Sequence, residues 1–328
     1  MSTGGAGDRL FGLALAGAAA GGALIAVQSR INGELSHRLG QSMEAALWSF
    51  GSGLALLTAL LLVPALRRGM ARVPAAVRSG ELCWWECIGG LSGACLVAVQ
   101  TYAVPLVGVA LFTVAVVGGQ TLSGLGVDRL GLGPAGRTDV TRARMLAALL
   151  AIVGVAVAVF GEHGTSTVAL LPAVLAFLVG VSSAAQQAVN GKVNGVSRQP
   201  LSTTWLNFAT GTVLLLVLTG IVALARSDGG GSGAGTPPWW SWLGGLCGIG
   251  FIALAAWAVR HTGVLLFGLV TLSGQLLTAL ALDLASPRTR GQIGTQVVLG
   301  LAITLAAAAM ASVAAGRRRS QAARRASA

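Results

Sequence analysis

The chain has 328 residues, of which 54% are hydrophobic and only 10% charged, and its mean hydropathy is +0.78. A soluble domain carries roughly 25% charged residues, so a soluble fold is excluded. The formal charge of +12 invites a nucleic-acid reading, but the placement of the arginines, taken up below, gives that charge to membrane topology.

Apolar runs of about 20 residues, long enough for a helix to cross a hydrocarbon core of about 30 Å, recur ten times. They lie at approximately 10 to 31, 44 to 64, 84 to 103, 106 to 127, 144 to 160, 169 to 189, 201 to 224, 239 to 258, 263 to 282 and 294 to 315. The first run ends on Gln28 and Asn32, four residues apart and therefore on one helical face. Its small-residue stretch Ala18 to Gly22 resembles a signal-peptide cleavage site. We read it as a retained span, because cleavage would strand those two amides. Glu44 opens the second run. Trp84 and Trp85 open the third, where amphipathic rings anchor at headgroup level, and Gly89 with Gly93 give it a small-xxx-small face for close helix packing. The fourth carries Gln120 and ends at Asp128. The sixth repeats the amide pair as Gln186 and Asn190. The eighth opens on Trp239, Trp240 and Trp242 and carries Gly244 and Gly248. The ninth carries Gln275 and ends at Asp283. The tenth leads into a basic tail.

These recurrences are systematic. A shift of 158 carries Gly22, Gln28, Asn32, Gly33, Phe50 and Gly53 onto Gly180, Gln186, Asn190, Gly191, Phe208 and Gly211. A shift of 155 then carries Trp84, Gly89, Gly93, Gly108, Gln120 and Asp128 onto Trp239, Gly244, Gly248, Gly263, Gln275 and Asp283, the change of register falling inside a predicted loop. The chain holds only four asparagines, and two of them pair in this way; gene duplication explains it. Five helices per copy is an odd number, so the second copy enters the membrane from the opposite side. The expected fold is an all-α integral membrane bundle of ten transmembrane helices in two inverted five-helix repeats. Residues 1–160 form the first repeat, 161–316 the second, and 317–328 a basic cytoplasmic tail. Inverted repeats around a midplane site are how many secondary transporters alternate access.

Lys and Arg are retained on the cytoplasmic side. With the N-terminus inside, 17 of the 22 basic residues fall in the cytoplasm and five outside: Arg30, Arg38, Arg226, Arg288 and Arg290. Both termini are therefore expected in the cytoplasm. The tail (Arg317, Arg318, Arg319, Arg324, Arg325) reads as a stop-transfer signal that touches anionic lipid head groups, with no nucleic-acid partner. The glycine-rich stretch Asp228 to Pro238 reads as an external tether.

Catalysis has little to work with. Cys83, Cys87, Cys95 and Cys247 lack zinc spacing, and His37, His163 and His261 are scattered, so neither a metal nor a cofactor is expected. No phosphate-binding loop is present. What remains inside the membrane is amide chemistry: Gln28, Asn32, Gln120, Gln186, Asn190 and Gln275. In lipid such groups must face protein or a wet cavity. They either glue helices together or line a substrate path, and their recurrence in both halves favours the path. Asp128 and Asp283 are capping or proton-coupling residues, and Glu44 stands in the same position of choice. No carboxylate lies at the centre of a predicted span, which points to a neutral or zwitterionic solute.

The runs AVQSRINGELSHRLGQSMEAALWSFGSG (26 to 53) and AAQQAVNGKVNGVSRQPLSTTWLNFATG (184 to 211), with Gly119-Gln120 and Gly274-Gln275 beyond them, resemble the glutamine-asparagine-glycine signature of YdcZ-type members of the drug/metabolite transporter superfamily. The resemblance covers about residues 10 to 315 and implies the fused two-repeat form of an EamA-like bundle in the plasma (inner) membrane. It further implies a central cavity and export of a small-molecule substrate. Single five-helix members of the family must pair, and the fused form stands as a monomer or a homodimer. The first helix lacks the mid-span glutamate of the small multidrug branch, so proton-coupled export of organic cations is not expected. Alternatives are a flippase for a lipid-linked precursor and a membrane scaffold without transport.

Overall fold

The computed structural model describes residues 4–132, 137, 141–160, 167–225 and 233–326, and among them every regular element is helical. In order these are α1 (Gly4–Leu39), α2 (Ser42–Ala59), α3 (Pro64–Arg78), α4 (Gly90–Leu130), α5 (Arg142–Val159), α6 (Thr167–Ser197), α7 (Pro200–Ala225), α8 (Gly244–Ala285) and α9 (Thr295–Ala326). Short three-ten turns precede α4 at Trp84–Ile88 and α8 at Trp239–Trp242.

α4 has 41 residues and α8 has 42. As straight rods at about 1.5 Å per residue, each would be about twice as long as the hydrocarbon core is thick. Neither is straight. Gly108 (φ 80°, ψ 171°) and Gly263 (φ 73°, ψ 159°) break them with left-handed backbone, a conformation glycine adopts without steric cost. At Gly263 the chain reverses, as its contacts with α1 show. Along 244–262 they run in opposite senses, with Gly248 beside Gln28, Gly250 beside Leu24 and Trp257 beside Gly17. Along 264–285 they run in the same sense: Thr271 Oγ1 donates to the Ala18 carbonyl at 3.2 Å, and Arg30 donates to Ser286 Oγ at 3.0 Å. The two limbs of α8 form a hairpin. With α4 and α8 each divided, α1, α2, α5, α6, α7, α9 and the four limbs make ten spans among the described residues.

Direction also shows that the repeats are inverted. The first limb of α4 runs parallel to α1, since Gln100 bonds to Ser29 and Asn32 while Val104 lies on Gly33. The same limb runs antiparallel to α6, with Gly93 facing Gln186 and Gly89 facing Asn190. α1 and α6 therefore point in opposite directions although each opens its repeat. They also exchange partners, α1 packing on the α8 hairpin and α6 on α4. α2 meets α7 where Phe50 and Phe208, equivalent residues of the two copies, stack with centroids 5.0 Å apart. Gly53 lies against Phe208 and Gly211 against Phe50, so a pseudo-twofold axis passes between the rings. The deepest core surrounds the turn of α4, where Val104, Val109, Phe112, Val114 and Val116 are buried with Leu276 and Leu301.

Three expectations need correction. α1 and α6 run on to Leu39 and Ser197, past the predicted ends at 31 and 189, because polar residues extend a helix once its backbone bonds have propagated. Both tryptophan clusters sit on three-ten turns; Trp84 opens its span as expected, whereas Trp239, Trp240 and Trp242 lie ahead of theirs, which begins at Gly244. The stretch after α2 was read as loop but contains α3. Pro64 starts it, a favoured first helical position, and Leu66, Gly69, Val73 and Ala76 form a buried stripe with helical spacing that packs near Val193 and Leu206. Arg67, Arg68 and Arg78 remain exposed. The second repeat carries the glycine-rich stretch instead, of which 228–232, like His163, lies outside the described residues.

Candidate transport site at the repeat interface

The two amide pairs meet the two glycine pairs. Gln and Asn one turn apart on α1 or α6 dock on Gly and Gly one turn apart on an antiparallel limb. A Cβ placed on Gly89 would stand 2.9 Å from Asn190 Oδ1, and one on Gly93 would stand 2.9 Å from Gln186 Nε2. In the mirrored seam a Cβ on Gly248 would stand 3.4 Å from Gln28 Nε2, and one on Gly244 would overlap Asn32 Oδ1. So Gly89, Gly93, Gly244 and Gly248, read from sequence as packing positions, are the recesses that receive the amide heads. The seams converge on the aromatic pair, since the Gly93 and Gly248 positions each lie 3.5 Å from Cζ of Phe50 and Phe208 respectively.

The seams are not chemically identical. Asn32 is 1% exposed; its Nδ2 donates to Gln100 Oε1 at 2.8 Å, and Gln100 Nε2 donates to Ser29 Oγ at 2.6 Å. Gln28, Gln186 and Asn190 are half-buried. Gln120 and Gln275 stand on the second limbs. The Gln275 backbone lies against Gly22, six residues before Gln28 and hence about 9 Å along α1.

Ion pairs close the ends of this interface. Near the end of α1, Glu34 is 6% exposed and takes Arg38 at 2.8 Å, Arg288 at 2.8 Å and Arg30 at 3.9 Å. Near the end of α6, Glu86 accepts from Lys192 Nζ at 2.7 Å and from the Cys83 backbone N–H at 2.8 Å. Glu34 and Lys192 are equivalent positions of the two copies, 158 apart, so one repeat supplies an acid where the other supplies a base. Asp128 pairs with Arg144. Asp283 Oδ2 accepts the Ala110 backbone N–H at 2.7 Å. Glu44 is exposed in the first turn of α2, where the helix dipole favours an acid. No cluster of three metal-ligating side chains occurs among the described residues.

A family model described as "Putative inner membrane exporter, YdcZ" matches residues 13–157 and again 171–310. The chain belongs to the YdcZ family. The double match agrees with the two-repeat form, and the apolar spans make this member a multi-pass membrane protein. No curated protein matches the chain. A solved crystal structure is similar over 93% of this chain and 97% of its own, with a TM-score of 0.52 at 18% identity, which shows the fold alone.

Sequence comparison within the chain missed Gln100 because its counterpart is Ala255, and an internal repeat draws attention only to what recurs. It missed Glu34 because the first predicted span ended short of it, and Glu86 because its counterpart at the shift of 155 is Ser241. The spacing Arg30, Glu34, Arg38, two successive four-residue steps, was the signal available once α1 was extended.

Proposed function

We propose that this YdcZ-family protein is a secondary carrier that exports a small neutral or zwitterionic polar metabolite by alternating access of its two inverted repeats. The observation that carries this reading is the reciprocal seam: each amide pair lies in the other repeat's glycine recess, about an axis marked by Phe50 and Phe208. Such symmetry lets two halves exchange shapes around one site. The polar groups there are amides and the hydroxyls of Ser49, Ser52 and Thr210, which offer donors and acceptors without charge. The carboxylates Glu34, Glu86, Asp128 and Asp283 are each engaged by a partner, and Glu44 and Glu81 are exposed, in the first turn of α2 and just beyond the end of α3, leaving Gln28, Gln120, Gln186, Asn190 and Gln275, with Asn32 behind them, as the groups to meet a solute. The basic residues favour cytoplasmic termini, with α3 and the C-terminal tail against anionic lipid.

Binding and melting measured together test the site. Losing one partner of a buried hydrogen bond costs about 1 to 3 kcal/mol, a factor of roughly 5 to 150 in affinity. Gln28→Ala and Gln186→Ala should weaken binding of a solute found by thermal-shift screening by that factor and melt nearly normally. Asn32→Ala, which orphans the buried Gln100 amide, should lower melting. Normal affinity per folded molecule with low melting in the two glutamine variants would reduce the amides to glue. For topology, a cysteine at exposed Ala234 should react with an impermeant maleimide on intact cells, and one at exposed Ser79 should not. Reaction at Ser79 would reverse the orientation.

A further inference from the structure

The two repeats are not in the same state, and the difference centres on two aspartates that occupy equivalent positions. Asp283 is 2% exposed. Its Oδ2 accepts the Ala110 N–H at 2.7 Å, and the carboxylate fills the space beside Gly108, where a Cβ would stand 2.6 Å from Oδ2. Gly108 is where α4 breaks, and Ala110 lies in the first turn of its second limb. The first amides of a helix have no partner within it, and an acid there is further favoured by the helix dipole. A residue of the second repeat thus ties down the turn of the first. The Asp283 carbonyl also accepts the Thr289 hydroxyl at 3.0 Å, which braces the tie from behind.

The shift of 155 that carries Asp128 onto Asp283 carries Gly108 onto Gly263, so the equivalent tie would join Asp128 to the start of the limb 264–285. It is not made. Gly263 is exposed, with nothing within 4 Å of its Cβ position, and the Asp128 side chain is 37% exposed and paired with Arg144 instead. The surrounding residues follow the same division. At equivalent positions Val104, Val107 and Gly108 are buried, whereas Val259 and Thr262 are half-buried and Gly263 is exposed; Leu106 and His261 are exposed alike.

We propose that Asp283 is the latch that holds the α1-terminal end of the transport path shut, that Asp128 is its counterpart at the α6-terminal end, and that the two ties alternate. This rests on the carrier reading above. In the state seen, the first tie is made and the second is held off by Arg144. In the opposite state Asp283 releases the turn at Gly108, and Asp128 leaves Arg144 to cap the turn at Gly263. Asp128 and Asp283 are positioning residues that set which end is open and need not touch the solute.

The test uses the full chain in membrane vesicles of both orientations, with its four cysteines replaced and one reporter at a time, Ser286→Cys at the shut end or His261→Cys at the open end. The readout is the rate of modification by an impermeant maleimide applied from the side that each reporter faces. Asp283→Ala removes the acceptor. Ala110→Pro removes the donor and keeps the acid. Each should raise labelling of Ser286→Cys at least tenfold and lower labelling of His261→Cys. Arg144→Ala, which frees Asp128 for the opposite tie and touches neither partner of the first, should shift both rates in the same directions, and adding Asp128→Ala should cancel that shift. Unchanged rates in all three variants would overturn the proposal, as would a rise at both reporters together, which reports loosening and not exchange. Flux of solute into proteoliposomes is scored separately. Reciprocal labelling without flux would sink the carrier reading and leave the latch standing; flux with unchanged labelling would sink the latch alone.

Discussion

Glu34→Ala should be among the most destabilising substitutions in the chain, lowering the unfolding free energy by about 3 kcal/mol. Breaking a buried ion pair by removing one partner costs about 3 to 5 kcal/mol, because the other charge is left uncompensated. Here one carboxylate, 6% exposed, serves Arg30, Arg38 and Arg288. Its loss leaves three guanidinium groups facing one another at the end of α1. Their own exposure, 23%, 30% and 46%, lets water relieve part of that repulsion, which sets the effect at the low end of the range. Arg288→Ala is the control: it removes the most exposed partner, leaves Glu34 bonded to Arg38, and should cost no more than about 1 kcal/mol, as exposed pairs do. Melting of both variants in one detergent decides the matter. Losses of no more than about 1 kcal/mol in both variants would mean that the cluster is a surface decoration and not a clamp between α1 and the segment after α8.

The ten spans and their duplication were legible because both are long-range regularities: a span is a length of apolar chain, and a repeat is a recurrence of rare residues such as Asn32 and Asn190. α3 was not, since four arginines in 15 residues defeat a hydropathy reading, and only the stripe Leu66, Gly69, Val73, Ala76 betrays it. The amides and the glycines were each singled out, but separately. That Gln186 meets Gly93 and Gln28 meets Gly248 depends on the exchange of partners between repeats, a tertiary fact with no local signature. The break in α4 falls at Gly108, two residues inside the run predicted to begin at 106, because the left-handed backbone of the break needs glycine. Glu34 escaped because hydropathy measures where lipid contact ends, and α1 continues past that point to Leu39; Glu86, inside its predicted span, escaped because Ser241 stands at its equivalent position.

The same exchange of partners gives the second large effect. Gly22 on α1 and Gly180 on α6 are equivalent residues, and each lies on the backbone of the opposite hairpin limb: a Cβ on Gly22 would overlap the Thr271 carbonyl, and a Cβ on Gly180 the Val116 carbonyl. Side chains can rotate away from an added methyl group. A helix backbone cannot, so the two helices must separate along the seam and lose the close packing that small residues permit in lipid. Overpacking usually costs 1 to 3 kcal/mol and occasionally more; with a backbone as the obstacle, Gly22→Ala and Gly180→Ala should each cost about 3 kcal/mol. The seams share no residue, so the double variant should lose roughly the sum of the two. Gly51 and Gly220, in the interiors of α2 and α7, have nothing within 4 Å of their Cβ positions. Alanine there should be neutral or gain up to about 1 kcal/mol from its higher helix propensity. If Gly22→Ala and Gly180→Ala melt with Gly51→Ala and Gly220→Ala, then α1 and α6 do not run in backbone contact with the opposing hairpins. The amide recesses at Gly93 and Gly248, which depend on that closeness, would fall with them.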